Sequence, residues 1–138
     1  MKHDLSHVSF LLDTNVLLAA TLDPERLPEE TALTLRDPST IIYFSAASIW
    51  EIGIKKSLGR NNFDFYPDDI HQLALETGFT ELPVFAKHCY VIARLPWHHR
   101  DPFDRLLIAQ AIDIRSYLVT TDSILPKYSD LVIHIKFK

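Results

Sequence analysis

Ser9-Phe10-Leu11-Leu12-Asp13-Thr14-Asn15 decides the fold. Four residues of mostly apolar character end on three short polar ones. That pattern reads as a buried strand, a tight turn, and a helix from about Val16. The same motif of strand, turn and helix recurs downstream. Ile41-Ile42-Tyr43-Phe44 is β-branched and aromatic, so it predicts a second buried strand, and Ser45 is a fitting N-cap for a helix to about Leu58 that stops at Gly59. Tyr117 to Thr121 predicts a third, ending at Asp122, and Leu131 to Lys136 alternates as an edge strand does.

Helices fill the intervals. Pro28 to Arg36 opens with Glu29 and Glu30, where the helix dipole favours acids. Pro67-Asp68-Asp69 opens another that ends at Gly78, with a short β-like stretch from Phe79 to Leu82. Pro83 to Leu95 and Asp101-Pro102 to about Ser116 complete the set. Residues 60–66 and 96–100 read as loops. Strands alternating with helices imply a mostly parallel, twisted sheet covered on both faces, a three-layer α/β/α fold. One domain over residues 1–138 accommodates the whole chain.

Composition narrows the class. Three glycines in 138 residues and no GxGxxG or GxxxxGK[ST] argue against a glycine-rich phosphate cradle. A single cysteine, Cys89, permits no internal disulfide, and a reducing cytoplasm is the expected setting. Cys89 sits among Val84, Phe85, Tyr90, Val91 and Ile92 and is expected to be a packed thiol. Asp13 and Asn15 interrupt the apolar run from Val8 to Leu22, so neither a signal-peptide core nor a membrane span is expected. The net charge is −4, with all the excess acid in the first 50 residues. Phosphate contacts, if any, would come from the local clusters Lys55, Lys56, Arg60 and His98, His99, Arg100, Arg105.

In a parallel sheet the site lies beyond the carboxyl ends of the strands. Asp13 and Asp122 fall at two such ends. Each also has a plain structural use, Asp13 as the cap of the next helix and Asp122 as the cap of a short one near Ser123. Glu51 stands four residues before Lys55, the spacing of a surface ion pair, yet Ala46, Ala47, Ile49, Trp50, Ile52 and Ile54 make its helix apolar over most of its circumference. A buried carboxylate needs a partner or a metal. Asp101, before Pro102, suits an N-cap better than a catalytic role, whereas Asp104 in the first turn of the same apolar helix would point toward the strand ends. Asp13, Glu51, Asp104 and Asp122 can therefore converge. Packed carboxylates repel, a divalent cation removes that penalty, and an all-oxygen donor set suits Mg²⁺ or Mn²⁺. Such sites hydrolyse phosphate esters. His98 and His99 read as a loop flanking this site, because their spacing suits no ligand pair.

Leu11–Asn15, Ser45–Ile52, Asp101–Ala111 and Thr120–Asp122, in that order, resemble the motifs of PIN-domain ribonucleases, and most nearly the toxin subunits of bacterial VapBC-type toxin–antitoxin pairs. The resemblance runs from Leu11 to about Ile135. It implies a PIN-like fold and a metal-dependent endoribonuclease. Asp13, Glu51, Asp104 and Asp122 would be its catalytic and Mg²⁺- or Mn²⁺-holding quartet, with Asp101 as an auxiliary and Asn15, Ser48 and Thr121 orienting the carboxylates. It also implies an RNA substrate, a small cognate antitoxin protein, a toxin homodimer and a cytoplasmic location. Lys55, Lys56, Arg60 and Arg105 are the candidate RNA contacts. Trp50, Phe63, Phe65, Tyr66 and Trp97 are core residues or, where exposed, a face for an antitoxin or a second copy.

Two other phosphotransfer classes fail on residues. A haloacid-dehalogenase-like phosphatase needs a second aspartate two positions after the first, where this chain has Asn15. A receiver domain needs an acidic pair at the first strand and a late lysine, and neither is visible. A catalytically inactive PIN-like binding module is the remaining alternative, and the presence of all four acids weighs against it.

Overall fold

The computed structural model of the chain describes residues 8–59 and 63–138. Five strands form one sheet: β1 (Ser9–Leu12), β2 (Ile41–Ser45), β3 (Thr80–Leu82), β4 (Tyr117–Thr120) and β5 (Val132–His134). Their spatial order is β3-β2-β1-β4-β5, and every pair is parallel. The chain moves outward from β1 through β2 to β3, then returns to the other side of β1 as β4. The order therefore reverses between β1 and β4, the place where parallel α/β sheets open a crevice.

Alternation along the central strands sorts the core into two layers. Leu12, Phe44 and Val119 point to one face and pack with Val16, Leu17, Ile52, Ile70 and Ala74 from α1 (Thr14–Leu22), α3 (Ala46–Ser57) and α4 (Pro67–Glu76). Leu11 and Leu118 point to the other and pack with Leu107, Ile108 and Ala111 of α6 (Pro102–Ile114). α5 (Ala86–Arg94) lies on α6, and α2 (Glu29–Arg36) lies on the first face, where Leu35 meets the same core. The three-layer α/β/α architecture is the one the sequence implies. No helix among the described residues is long and apolar enough to cross a membrane.

Several details depart from the sequence reading. The helix expected from Pro83 begins at Ala86, because Phe85 is extended and its N–H donates to His88 Nδ1 at 3.0 Å. Cys89 is exposed, not packed. α5 turns only His88 fully inward, and Cys89 lies about 100° round the helix from it. α3 is not buried all round either. Ala47, Ser48, Glu51 and Ile52 form its inner stripe, while Trp50 is 63% exposed. The acid is thus on the buried face and the indole on the open one.

Candidate active site

Asp13 follows β1 directly, and its N–H donates to Val119 O of β4 at 3.0 Å, so the sheet itself sets its backbone. Its side chain is both cap and site residue. Oδ1 accepts from Val16 N–H at 2.8 Å, which starts α1 at Thr14, two residues earlier than the sequence suggests. Oδ2 accepts from the Thr120 hydroxyl at 2.6 Å and from Thr121 N–H at 3.4 Å. Thr120 is fully buried and accepts in turn from Asp122 N–H at 3.0 Å. One hydroxyl from the end of β4 thereby ties two of the acids together.

Glu51 reaches the same place from α3. The Thr14 hydroxyl donates to its Oε1 at 2.6 Å and lies 3.0 Å from Ser48 Oγ. Its Oε2 meets Lys55 Nζ at 2.9 Å, so the i, i+4 ion pair and the buried carboxylate are both real. Asp104 comes from the first turn of α6. Asp101 caps that helix, its Oδ1 accepting from Phe103 N–H at 2.8 Å and Asp104 N–H at 3.3 Å. Asp122, after β4, accepts Ile124 N–H on Oδ1 at 2.8 Å.

These side chains line one cleft of about 230 Å³ together with Thr14, Asn15, Lys55, His99, Asp101 and Thr121. Lys55 is its single lysine or arginine among the described residues. Two larger hollows elsewhere are lined mainly by aliphatic and scattered polar groups. Burial pushes the Asp13 carboxyl up, against the hydrogen bonds from Thr120, Val16 and Thr121, with Glu51 adding to the rise. Burial likewise carries Asp104 up to about 7, helped by the charges of Asp101, Asp13 and Asp122 and opposed by His99. Both shifts come chiefly from holding a carboxylate out of water, with neighbouring acids adding to them.

The structure thus brings Asp13, Glu51, Asp104 and Asp122 together. The supporting residues divide. Ser48 is 1% exposed and touches the carboxylates only through Thr14. Thr121 contributes its backbone N–H. Asn15 is exposed at the rim. Arg105 does not fit the phosphate-contacting role expected of it. It is 4% exposed, its guanidinium donates to the carbonyls of Ile92 and Pro96 and to Tyr128 Oη, and Trp97 covers it at 4.0 Å. It pins the loop before α6. Lys56 points to the other side, onto Asp64 at 2.6 Å and over the Tyr66 ring. Arg60 lies outside the described residues.

Three participants escaped the sequence reading. Thr14 and Thr120 stand next to recognised residues, and a buried hydroxyl beside a buried acid is the signal that could have found them. His99 belongs to the flanking loop as expected, yet its ring enters the cleft. Nε2 lies 2.7 Å from Asp122 Oδ2 and 3.5 Å from Asp104 Oδ2. His99, Asp104 and Asp122 form a group with metal-like ligand spacing among the described residues. His98, by contrast, is exposed and meets the Tyr128 ring edge-on.

Comparison with known proteins places the chain. The PIN domain family matches residues 10–131. No curated protein matches the sequence. Among solved structures, VapBC2 from Rickettsia felis, bound to a DNA fragment from its promoter, is similar at TM-score 0.68 and 16% identity, over 94% of this chain and all of that one. FitAcB from Neisseria gonorrhoeae is similar at TM-score 0.57 and 20% identity, over 91% of this chain and 96% of the other. VapBC-1 from nontypeable Haemophilus influenzae is similar at 0.58 and 15%, over 92% and 98%. At these identities the likeness is one of fold.

Proposed function

The chain belongs to the PIN domain family, whose members are generally nucleases, and on that premise we propose that it is a divalent-metal-dependent endoribonuclease, the toxin subunit of a VapBC-type pair. One observation carries the reading. Four carboxylates from four separate elements meet in one cleft at the carboxyl ends of β1 and β4, with Lys55 as the only lysine or arginine among the described residues lining it.

The donor set fits Mg²⁺ or Mn²⁺. Asp13, Glu51, Asp104 and Asp122 offer hard oxygen ligands, and Asp13 and Asp104, raised chiefly by burial, stand beside further acids. A divalent ion held there would lower the pKa of a coordinated water and offset charge building on a phosphodiester. The chain's own part is to hold its acids in place. Thr120 and Val16 N–H fix Asp13, Thr14 fixes Glu51, and Ile124 N–H fixes Asp122. Carboxylates so oriented need no reorganisation when the ion and the phosphate arrive. Lys55, at the cleft edge on Glu51, is the cation we assign to a substrate phosphate.

A small antitoxin protein is the proposed partner, and a homodimer the proposed state of the free toxin. The fold-level likeness to VapBC assemblies supports the antitoxin partner. The exposed Trp50 and Trp97 offer apolar area near the cleft helices for one of these contacts.

The test is induced expression of the wild type beside Asp13→Ala and Glu51→Ala, with RNA ends mapped, and the purified proteins assayed on RNA with and without chelator. Growth arrest with new RNA ends in the wild type alone, and metal-dependent cleavage in vitro, is the expected result. A wild type that binds a partner but cuts no RNA in any divalent ion would leave the inactive binding module as the correct reading.

A further inference from the structure

His99 sits where a metal ligand would. Its Nε2 is 2.7 Å from one carboxylate oxygen of Asp122 and 3.5 Å from one of Asp104. The other ring nitrogen decides what it does. Asp101 N–H donates to His99 Nδ1 at 3.0 Å. A nitrogen that accepts an N–H carries no proton of its own, so the neutral ring keeps its proton on Nε2. An Nε2–H facing carboxylates is a donor and has no lone pair to offer a metal. The ring is also placed from behind, since the His99 N–H donates to Tyr128 Oη at 2.8 Å and the same Tyr128 hydroxyl takes a bond from the buried Arg105 at 3.1 Å. The Asp101 N–H selects the tautomer, and the Tyr128 hydroxyl holds the His99 backbone beside it.

Resting on the nuclease reading of this cleft, we propose that His99 is a positioning residue for Asp122 and not a metal ligand. Its Nε2–H holds Asp122 Oδ2 while Ile124 N–H holds Oδ1. Each oxygen accepts one fixed donor and keeps a free lone pair, so the carboxylate is locked in rotamer and remains open to a cation. Asp101 is the hidden partner of this arrangement. Its side chain caps α6, while its backbone N–H selects the histidine tautomer. That double duty explains a polar residue immediately before Pro102 without making it catalytic.

The experiment uses the full chain labelled with ¹⁵N at histidine, with the His99 signals assigned by His99→Gln. Long-range ¹H–¹⁵N correlation in chelator should show the proton on Nε2. Adding saturating Mg²⁺, and separately Zn²⁺ as the stronger imidazole seeker, should leave it there. A proton on Nδ1, in chelator or after either metal, overturns the proposal, because Nε2 would then be free to coordinate. A second measurement compares variants by Mn²⁺ calorimetry and by cleavage. His99→Ala should weaken Mn²⁺ binding or lower kcat on the order of 10- to 100-fold with KM for RNA unchanged, and His99→Gln, which restores an N–H donor, should recover part of the loss. The ratio of Mg²⁺- to Mn²⁺-supported activity should be the same in all three. A ratio that moves toward Mg²⁺ when the imidazole is removed marks His99 as a ligand and refutes the inference. The spectroscopy and calorimetry need no cleavage, so an inactive wild type with an Nε2–H tautomer would defeat the nuclease reading alone.

Discussion

Replacing Asp104 with asparagine should stabilise the metal-free protein, and more so as the pH rises. Asp104 is pushed from 3.8 up to about 7, chiefly by burial. A carboxyl raised on folding makes the native state hold its proton after the unfolded chain has released it. The native state is then penalised progressively above the unfolded value, and the penalty levels off above about 7. About three pH units at 1.36 kcal/mol each give a ceiling of roughly 4 kcal/mol. The repulsion from Asp101, Asp13 and Asp122 is shared among the group, so a realistic figure is about 2 kcal/mol. By pH 5 only about a third of it has accumulated. Asparagine keeps the shape and cannot ionise. At roughly 3–4 °C per kcal/mol for a domain of this size, Asp104→Asn should melt about 5–10 °C above the wild type at pH 8 in chelator. The gap should narrow to a few degrees at pH 5. Thermal unfolding followed by circular dichroism from pH 5 to 8 measures this directly. Saturating Mn²⁺ should reverse the order, since the wild type gains binding energy that the variant lacks. Equal melting temperatures across that pH range, or a variant less stable than wild type at pH 8 in chelator, would refute the account of a cleft crowded with negative charge.

Four further outcomes follow from the same geometry. Metal affinity should fall as the pH drops below about 7, because Asp104 must give up its proton to bind, and calorimetry at pH 6 and 8 in buffers of different ionisation enthalpy should show proton release. Thr14→Val removes the donor to Glu51 Oε1 in a buried setting and should cost about 1–3 kcal/mol of stability by urea denaturation. Arg105→Met strands the carbonyls of Ile92 and Pro96 and should cost on the order of 2–4 kcal/mol, while leaving the salt dependence of RNA binding unchanged. Lys55→Gln should instead reduce that salt slope by about one, as read by fluorescence anisotropy over a salt series.

The strand ends were legible because their causes are local. An apolar run of four residues closing on Asp13, and another closing on Thr120-Thr121-Asp122, fix both a strand and a polar group at its exit. Ser45 and Asp101 announce helix starts by side-chain chemistry that acts over two or three residues, and both caps form. Parallel order follows from the alternation, and with it the meeting of Asp13 and Asp122.

What each side chain faces was not legible in the same way. Periodicity makes α3 apolar nearly all round, and only packing against α1, α4, α6 and the sheet decides that Glu51 turns in and Trp50 turns out. Cys89 has apolar neighbours in sequence, yet α5 packs on α6 with another side and leaves Cys89 exposed. Arg105 looks like a phosphate ligand until the carbonyls of Ile92, in α5, and Pro96, in the loop after it, claim its guanidinium. His99 reaches Asp122 across 23 residues, and Thr120 reaches Asp13 across 107. Sequence alone determined which acids stand at the mouth of the sheet, since secondary structure is set by neighbours along the chain. Tertiary structure alone decided which hydroxyls, imidazole and guanidinium satisfy them or turn away, since a buried polar group takes whichever partner the packed fold brings within about 3 Å.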